Sequence, residues 1–287
     1  MKKKILSTVL VLSMAVAMTA CGSKDKGGSK VTVTADEVQD KMMEAVKGVD
    51  SAEVAIDAAL GLSMDAEGTK VEMDLGFDAD GEFTIGTPGG HVNLSFDMKT
   101  SGTGDDMEQK MTAEAYVVTD GDKATAYFNS DNAGWEKSEG TLDEIKASFE
   151  EGLSEYGMSI DDLFAAAESE DEQFKPTLSE KTVSVDKKEC YELVYALDKD
   201  ALMNAEAAAD YAEYAEAIDT LDGNLKLYVE TDTNLPVKMV FDLDLDINIM
   251  GMVLTVDEFD ITVTADYNNV KEIKVPSEVT DNAVATE

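Results

Sequence analysis

Arginine is missing from all 287 residues, and lysine alone supplies the 23 basic side chains against 61 acidic ones. The planar fork that grips phosphate in two places is therefore unavailable. With a formal charge of −38, the surface repels DNA, RNA and anionic head groups, because nucleic-acid affinity rests on neutralising phosphates. No nucleic-acid partner is expected. Two cysteines and one histidine cannot supply the roughly four ligands of a structural zinc site, and Cys21, Cys190 and His91 are not spaced for one. The chain has no Gly-x-Ser-x-Gly elbow, no phosphate-cradling loop before a helix and no His-Glu-x-x-His. No catalytic residue and no cofactor is assigned, and the chain is not expected to be an enzyme. Carboxylate pairs abound, but among 61 acidic residues they say nothing about glycoside chemistry.

What is present begins with an address. "MKKKILSTVLVLSMAVAMTAC" has three lysines, an apolar run from Ile5 to Ala17, and small residues before Cys21. That is the pattern of a secretory signal peptide, and the run is too short for an ordinary membrane-spanning helix. Met18-Thr19-Ala20-Cys21 resembles the bacterial lipobox, with Met where leucine is usual. The resemblance implies cleavage before Cys21, diacylglycerol on its thiol, and a protein anchored by lipid to the extracytoplasmic side of the cell membrane. Two acyl chains hold such an anchor where one does not. The other reading is a plain cleaved signal with an incidental cysteine. "GSKDKGGSK" then reads as a flexible tether. The expected organisation is a signal peptide over 1–20, lipidated cysteine and tether over 21–33, one domain over 34–276, and a loose tail over 277–287. Removing Lys2, Lys3 and Lys4 leaves the mature chain more acidic still, so it is held near a membrane that repels it. Cys190, alone if Cys21 is lipidated, reads as a small buried thiol.

At 44% hydrophobic residues the chain can bury a sizeable core. Thr34-Ala35-Asp36-Glu37 is a capping box, and Val38, Met42, Ala45 and Val46 follow at helical spacing. Then period-two segments dominate: Val54 to Met64, Val71 to Phe77, Phe83 and Ile85, Val92 to Met98, Met111 to Val117, and "KATAYFN". Gly/Asp turns separate them, which is the signature of an antiparallel meander. A second capping box, Thr141 to Glu144, predicts helices in the middle of the chain. Two strands around "DKKE" come next. A longer helix is then expected to end near Gly223, with Leu202, Ala205, Ala209, Ala212, Ala215 and Ile218 as its inner stripe. Strands return to Pro276. These patterns predict an α+β domain: an antiparallel sheet, apolar on one side, with helices covering that side.

The stretch "VFDLDLDINI" from Val240 to Ile249 poses a choice between a metal motif and a wetted strand. Residues two apart on a strand lie ~6.6–6.8 Å from one another, so Asp242, Asp244 and Asp246 cannot all converge on one ion. The positions where a calcium loop needs glycine and glutamate hold Ile247 and Val253. We read the aspartates as a solvated face and assign no metal site. His91 reads as an ordinary strand-start residue, and Trp135, the single tryptophan, as a core or rim anchor with ligand stacking as the other option. The apolar alternation carries more. Leu62, Met64, Met73, Leu75, Phe96, Met98, Phe241, Leu243 and Leu245 fall on one face and are the candidate ligand-binding residues. Methionine re-packs easily around apolar guests, although such a stripe also fills an ordinary core.

The order of lipobox, tether, capped helix, meander, helices, strands and closing "EIKVPSEV", with "YVVTDGDKATAYFNSDNAGWEK" in the middle, resembles a group of bacterial lipoproteins. They share the fold of the outer-membrane lipoprotein carrier and of the mycobacterial lipid-handling lipoproteins, and include uncharacterised lipoproteins of Gram-positive bacteria. The resemblance covers about residues 34–279. It implies a half-barrel, a strongly curved antiparallel sheet whose concave face is covered by helices, with a possible greasy cavity. It implies a membrane-anchored carrier of a lipid-like or hydrophobic small molecule. Set against it are a non-catalytic envelope module working through protein contacts, with an unknown protein partner, and an acidic protein that buffers cations.

Overall fold

A computed structural model describes residues 28–66, 69–102, 106–141, 143–144, 175–198, 217–249 and 252–285. Helix α1 (Ala35–Val46) opens the domain. Its start follows the sequence: the Glu37 amide donates to Thr34 Oγ1 at 3.2 Å, and the Thr34 amide donates to Glu37 Oε2 at 2.9 Å. This reciprocal box satisfies two donors that a helix start leaves unpaired. The second box forms too, with the Glu144 amide donating to Thr141 Oγ1 at 3.2 Å and the Thr141 amide to Glu144 Oε2 at 2.8 Å. The middle helices expected after it lie outside the described residues. So does the inner stripe from Leu202 to Ala215.

The period-two segments become β1 (Ser51–Ala66), β2 (Thr69–Thr84), β3 (Gly89–Ser101), β4 (Met107–Asp120), β5 (Lys123–Ser130) and β6 (Glu136–Gly140). After short strands β7 (Thr177–Leu178) and β8 (Val183–Val185) come β9 (Lys188–Asp198), β10 (Ile218–Glu230), β11 (Pro236–Ile249) and β12 (Met252–Tyr267). Helix α2 (Ser277–Asn282) and strand β13 (Val284–Ala285) close the chain's described part. Among the described residues all 13 strands form one sheet in the order β13-β6-β5-β4-β3-β2-β1-β12-β11-β10-β9-β7, with β8 also paired to β9. Two meanders therefore meet at a seam, where β1 pairs antiparallel with β12 from Ala52↔Tyr267 to Asp65↔Val253.

The α+β half-barrel with helices over its concave face is overturned. The described residues are almost all strand, in one large open sheet, and neither described helix covers a concave face. The stripe of α1 is only Val38, Met42 and Val46, wide enough to pack on Leu193, Leu227 and Val229 of β9 and β10. Helix α2 packs at the far side of the sheet, where Val279 joins Ile273, Tyr116 and Tyr127. Leu193 lies in register with Leu227, Met239, Val263 and Ile56, whereas Tyr116 lies in register with His91, Glu82 and Glu53. Ile56 and Glu53 are an odd number of residues apart, so the two helices pack on opposite faces.

Three boundaries differ from the sequence reading. The long helix does not reach Gly223, because β10 begins at Ile218, pairs Leu221 with β11, and places Leu225, Leu227 and Val229 between β9 and β11. Residues 277–285 are a docked helix and strand, with β13 parallel to β6 at Val284↔Glu136. The expected tether also ends early: Ser29 and Val31 already hydrogen-bond to Thr182 and Glu180.

Candidate functional site

Strand alternation puts the nine sequence-predicted apolar residues on one face. Register then brings them together across the seam. Leu245 is opposite Val256, Val256 is opposite Leu62, and Leu62 is opposite Met73, which makes one continuous row. The next row contains Phe259, Leu60, Leu75 and Met98, and the following one Phe241, Ile261, Ala58, Phe77, Phe96 and Met111. Leu243 sits opposite Gly223, where a β-carbon would come within 2.8 Å of the Asp242 carbonyl oxygen, so only glycine allows so close an approach. Met64 lies at the end of β1, opposite Val71. Phe241 and Phe259 meet edge to face at 5.1 Å.

This face is not sealed. Leu62, Met73, Leu75, Phe96, Met98, Phe241, Leu243 and Leu245 are half-buried, and Met64 keeps 38% of its surface exposed. Met111 and Phe128 extend the same face onto β4 and β5 and are 40% and 46% exposed. Phe128 was missed in the sequence because "KATAYFN" is short and apolar in both phases; only its pairing with Ala115 fixes the side it takes. Full burial on this face lies at the seam end, where Ala52, Val54, Val263 and Ala265 cluster, under α1, where Leu193, Leu227 and Val229 are covered, and at Val256. Cys21 lies outside the described residues.

The opposite face is acidic and carries a cleft of about 530 Å³. Glu53, Asp80, Glu82 and Asp266 line its floor, and Asp186 and Lys188 come over it from the turn between β8 and β9. Lys188 reaches Asp266 at 2.5 Å. His91 forms part of the rim. Its ring stacks on Tyr116 at 4.1 Å and 8°, and its Nε2 lies 3.0 Å from Glu114 Oε1. Tyr116 donates to the same oxygen at 2.7 Å. Burial, with Glu114 beside it, holds the Tyr116 hydroxyl above the usual range. Trp135 packs on Tyr116 with ring centres 5.7 Å apart, as part of the cluster under α2. The cleft was not legible in the sequence, since its carboxylates come from three strands and the β8–β9 turn and meet only through register. Asp242 on this face takes Lys226 Nζ at 3.4 Å and Asn224 Nδ2 at 3.4 Å. Among the described residues no three His, Cys, Asp or Glu side chains are grouped to hold a metal. Cys190 is fully buried, and burial pushes its thiol up to about 11, which leaves it unreactive at neutral pH.

The described residues thus define an open-sheet β protein with one apolar and one acidic face. The chain belongs to a family of unknown function (DUF6612), whose model matches residues 34–284. Similar solved structures include LprF from Mycobacterium bovis, at 12% identity and a TM-score of 0.38, covering 86% of this chain and 99% of that one. A β-barrel-like DUF1849 protein from Brucella abortus follows at 13% identity and a TM-score of 0.22, covering 75% and 98%. A DUF1329 family protein from Desulfovibrio piger has 11% identity and a TM-score of 0.22, covering 84% and 96%. No curated protein matches. Among the described residues no helix is long and apolar enough to cross a membrane.

Proposed function

We propose that this protein is a non-catalytic lipoprotein, anchored through Cys21 on the extracytoplasmic side of the cell membrane, that binds a hydrophobic, lipid-like molecule against the apolar face of its sheet. The observation that carries the reading is the face itself. The row Phe241, Ile261, Ala58, Phe77, Phe96 and Met111 runs unbroken from β11 across the seam to β4, two shorter apolar rows lie beside it, and these side chains, apart from the buried Val256, stay half-exposed or exposed instead of closing over one another. Contiguous apolar surface of that extent marks a binding site in a water-exposed protein. Methionine at Met64, Met73, Met98 and Met111 lets the face adjust to a guest without a fixed shape. The signal sequence and lipobox support the anchor. The acidic face gives solubility and repels the head-group layer.

The test is native mass spectrometry of the full-length protein purified in mild detergent. A bound mass that is extracted by organic solvent, and is lost in Leu75→Asp and Phe96→Asp, is the expected result. A protein that is empty in every preparation would defeat the reading.

A further inference from the structure

The chain meets the domain through a short, well-bonded clamp. The Ser29 amide donates to Thr182 Oγ1 at 2.8 Å, the Thr182 amide donates to the Ser29 carbonyl at 2.9 Å, and the Val31 amide donates to the Glu180 carbonyl at 2.9 Å. Lys30 and Lys181 sit opposite one another in this antiparallel bridge. Thr182 is buried, and its hydroxyl donates to Glu189 Oε1 at 2.6 Å. A β-carbon at Gly28 would lie 1.6 Å from the Thr182 carbonyl oxygen, so the backbone can run this close only as glycine. The hairpin that receives the clamp is itself fixed: Lys188 pairs with Asp266, the Thr231 amide donates to the Glu189 carbonyl at 2.9 Å, and Cys190 is fully buried.

Only six residues, 22–27, separate Cys21 from the clamp. Such a length spans at most about 25 Å. The strands are far longer in reach: Ala52 to Met64 along β1 extends ~40 Å at 3.2–3.4 Å per residue. Cys190, Glu230, Ala52 and Tyr267 all stand at the clamp end, while Met64, Val71 and Met107 stand at the other. The clamp itself departs from the charge balance of the chain, although the acidic cleft of Glu53, Asp80, Glu82 and Asp266 lies at the same end. In a chain of −38, the clamp and hairpin present Lys30, Lys181 and Lys187 exposed, with Lys188 beside them, against Glu180, Asp186 and Glu189. This is surface that an anionic bilayer does not repel.

We propose that the edge formed by residues 28–31 and 180–189 is a membrane-contact surface, on which Lys30, Lys181 and Lys187 meet the phosphates of anionic phospholipid head groups. The proposal rests on the reading of Cys21 as the lipid anchor. It stands the sheet on its clamp end, so Met64, Met73 and Met98 lie tens of ångströms out from the bilayer. The apolar face then opens toward material arriving from outside rather than toward the anchoring membrane.

The test uses full-length, lipidated protein in vesicles of phosphatidylcholine with one-quarter phosphatidylglycerol, carrying an acceptor dye on the head groups. A donor dye is placed at Ser184→Cys on β8 or at Glu108→Cys on β4; Cys190 is too buried to compete for label. Energy transfer from position 184 is expected to exceed that from position 108 severalfold. Charge reversal at the exposed lysines, in Lys30→Glu/Lys181→Glu/Lys187→Glu, is expected to lower transfer from position 184 at least twofold. Equal transfer from the two positions, or a reversal variant that behaves as wild type, overturns the edge while leaving the anchor intact. An intact mass with unmodified Cys21 in the same sample overturns both.

Discussion

Thr262 illustrates how single residues on this sheet are set by register rather than by their own chemistry. It sits on β12 with 4% of its surface exposed, and its hydroxyl has no hydrogen-bond partner among the described residues. A buried hydroxyl without a partner costs about 1–3 kcal/mol. Thr262→Val keeps the β-branched shape and removes the orphan group. The variant is expected to be more stable than wild type by about 1 kcal/mol, read as a higher urea midpoint at unchanged m-value. At Cys190 the environment acts the other way. Its neutral thiol suits a fully buried place between Val183 and Glu230, and no sequence motif was needed to expect that. The aspartates of "DLDLD" show the limit of residue-level reading. Alternation places them on the polar side, but only the pairing reveals that Asp242 faces Asp260 on one flank and meets Lys226 on the other.

Among the elements, α1 depends on very few side chains. Val38 and Met42 are 2% and 4% exposed and insert between β9 and β10 against Leu193, Leu227 and Val229. Met42→Ala should cost about 2–5 kcal/mol by leaving a cavity there. A urea titration followed by circular dichroism would detect it, and a loss below 1 kcal/mol would mean that α1 is not part of the cooperative core. The sequence served this helix well, because its cap and its stripe are local. It served the meander well for the same reason: period two and Gly/Asp turns are written within each segment. It failed where composition outweighed pattern. "AEAIDTLDG" continues an alanine- and glutamate-rich run, yet Ile218 and Leu221 are held as strand by β11, and Leu225, Leu227 and Val229 by β9 and β11 together. The end of the chain was misjudged for a related reason. "SEVTDN" is too short and polar to signal a helix, and its order comes from Val279 docking on Tyr116 and Tyr127.

For the whole molecule, the separation of charge is the main physical fact. The polar face sets like charges directly opposite one another at Glu53↔Glu82, Asp57↔Asp78, Asp222↔Asp244 and Asp242↔Asp260. Each such pair is destabilising by roughly 0.2–1 kcal/mol, and a net charge of −38 adds a general repulsion. Raising sodium chloride from 10 mM to 500 mM shortens the Debye length from ~30 Å to a few ångströms. The melting temperature should therefore rise by several degrees, measured by calorimetry at neutral pH. A flat or falling response would mean that the carboxylates are compensated in a way the pairing does not reveal. The helix-covered half-barrel was the expectation least supported by local signals. How two amphipathic layers meet is decided by long-range packing, and the stripe of α1 proved wide enough for only two strands.

The seam between β1 and β12 has a kinetic consequence. Ala52 and Tyr267 are neighbours in the sheet but lie at nearly opposite ends of the chain. Closing so large a loop is entropically costly and slows folding. Until β12 is available, β1 keeps one edge open and each meander is only half of a structure. A chain cut after β11 would lack the central splice as well as one strand. Conversely, joining the two meanders by a short linker through a circular permutation, with new ends between β6 and β7, which do not pair with one another, would turn the slowest contact into a local one. Refolding would then be limited by hairpins, not by the search of one end of the chain for the other.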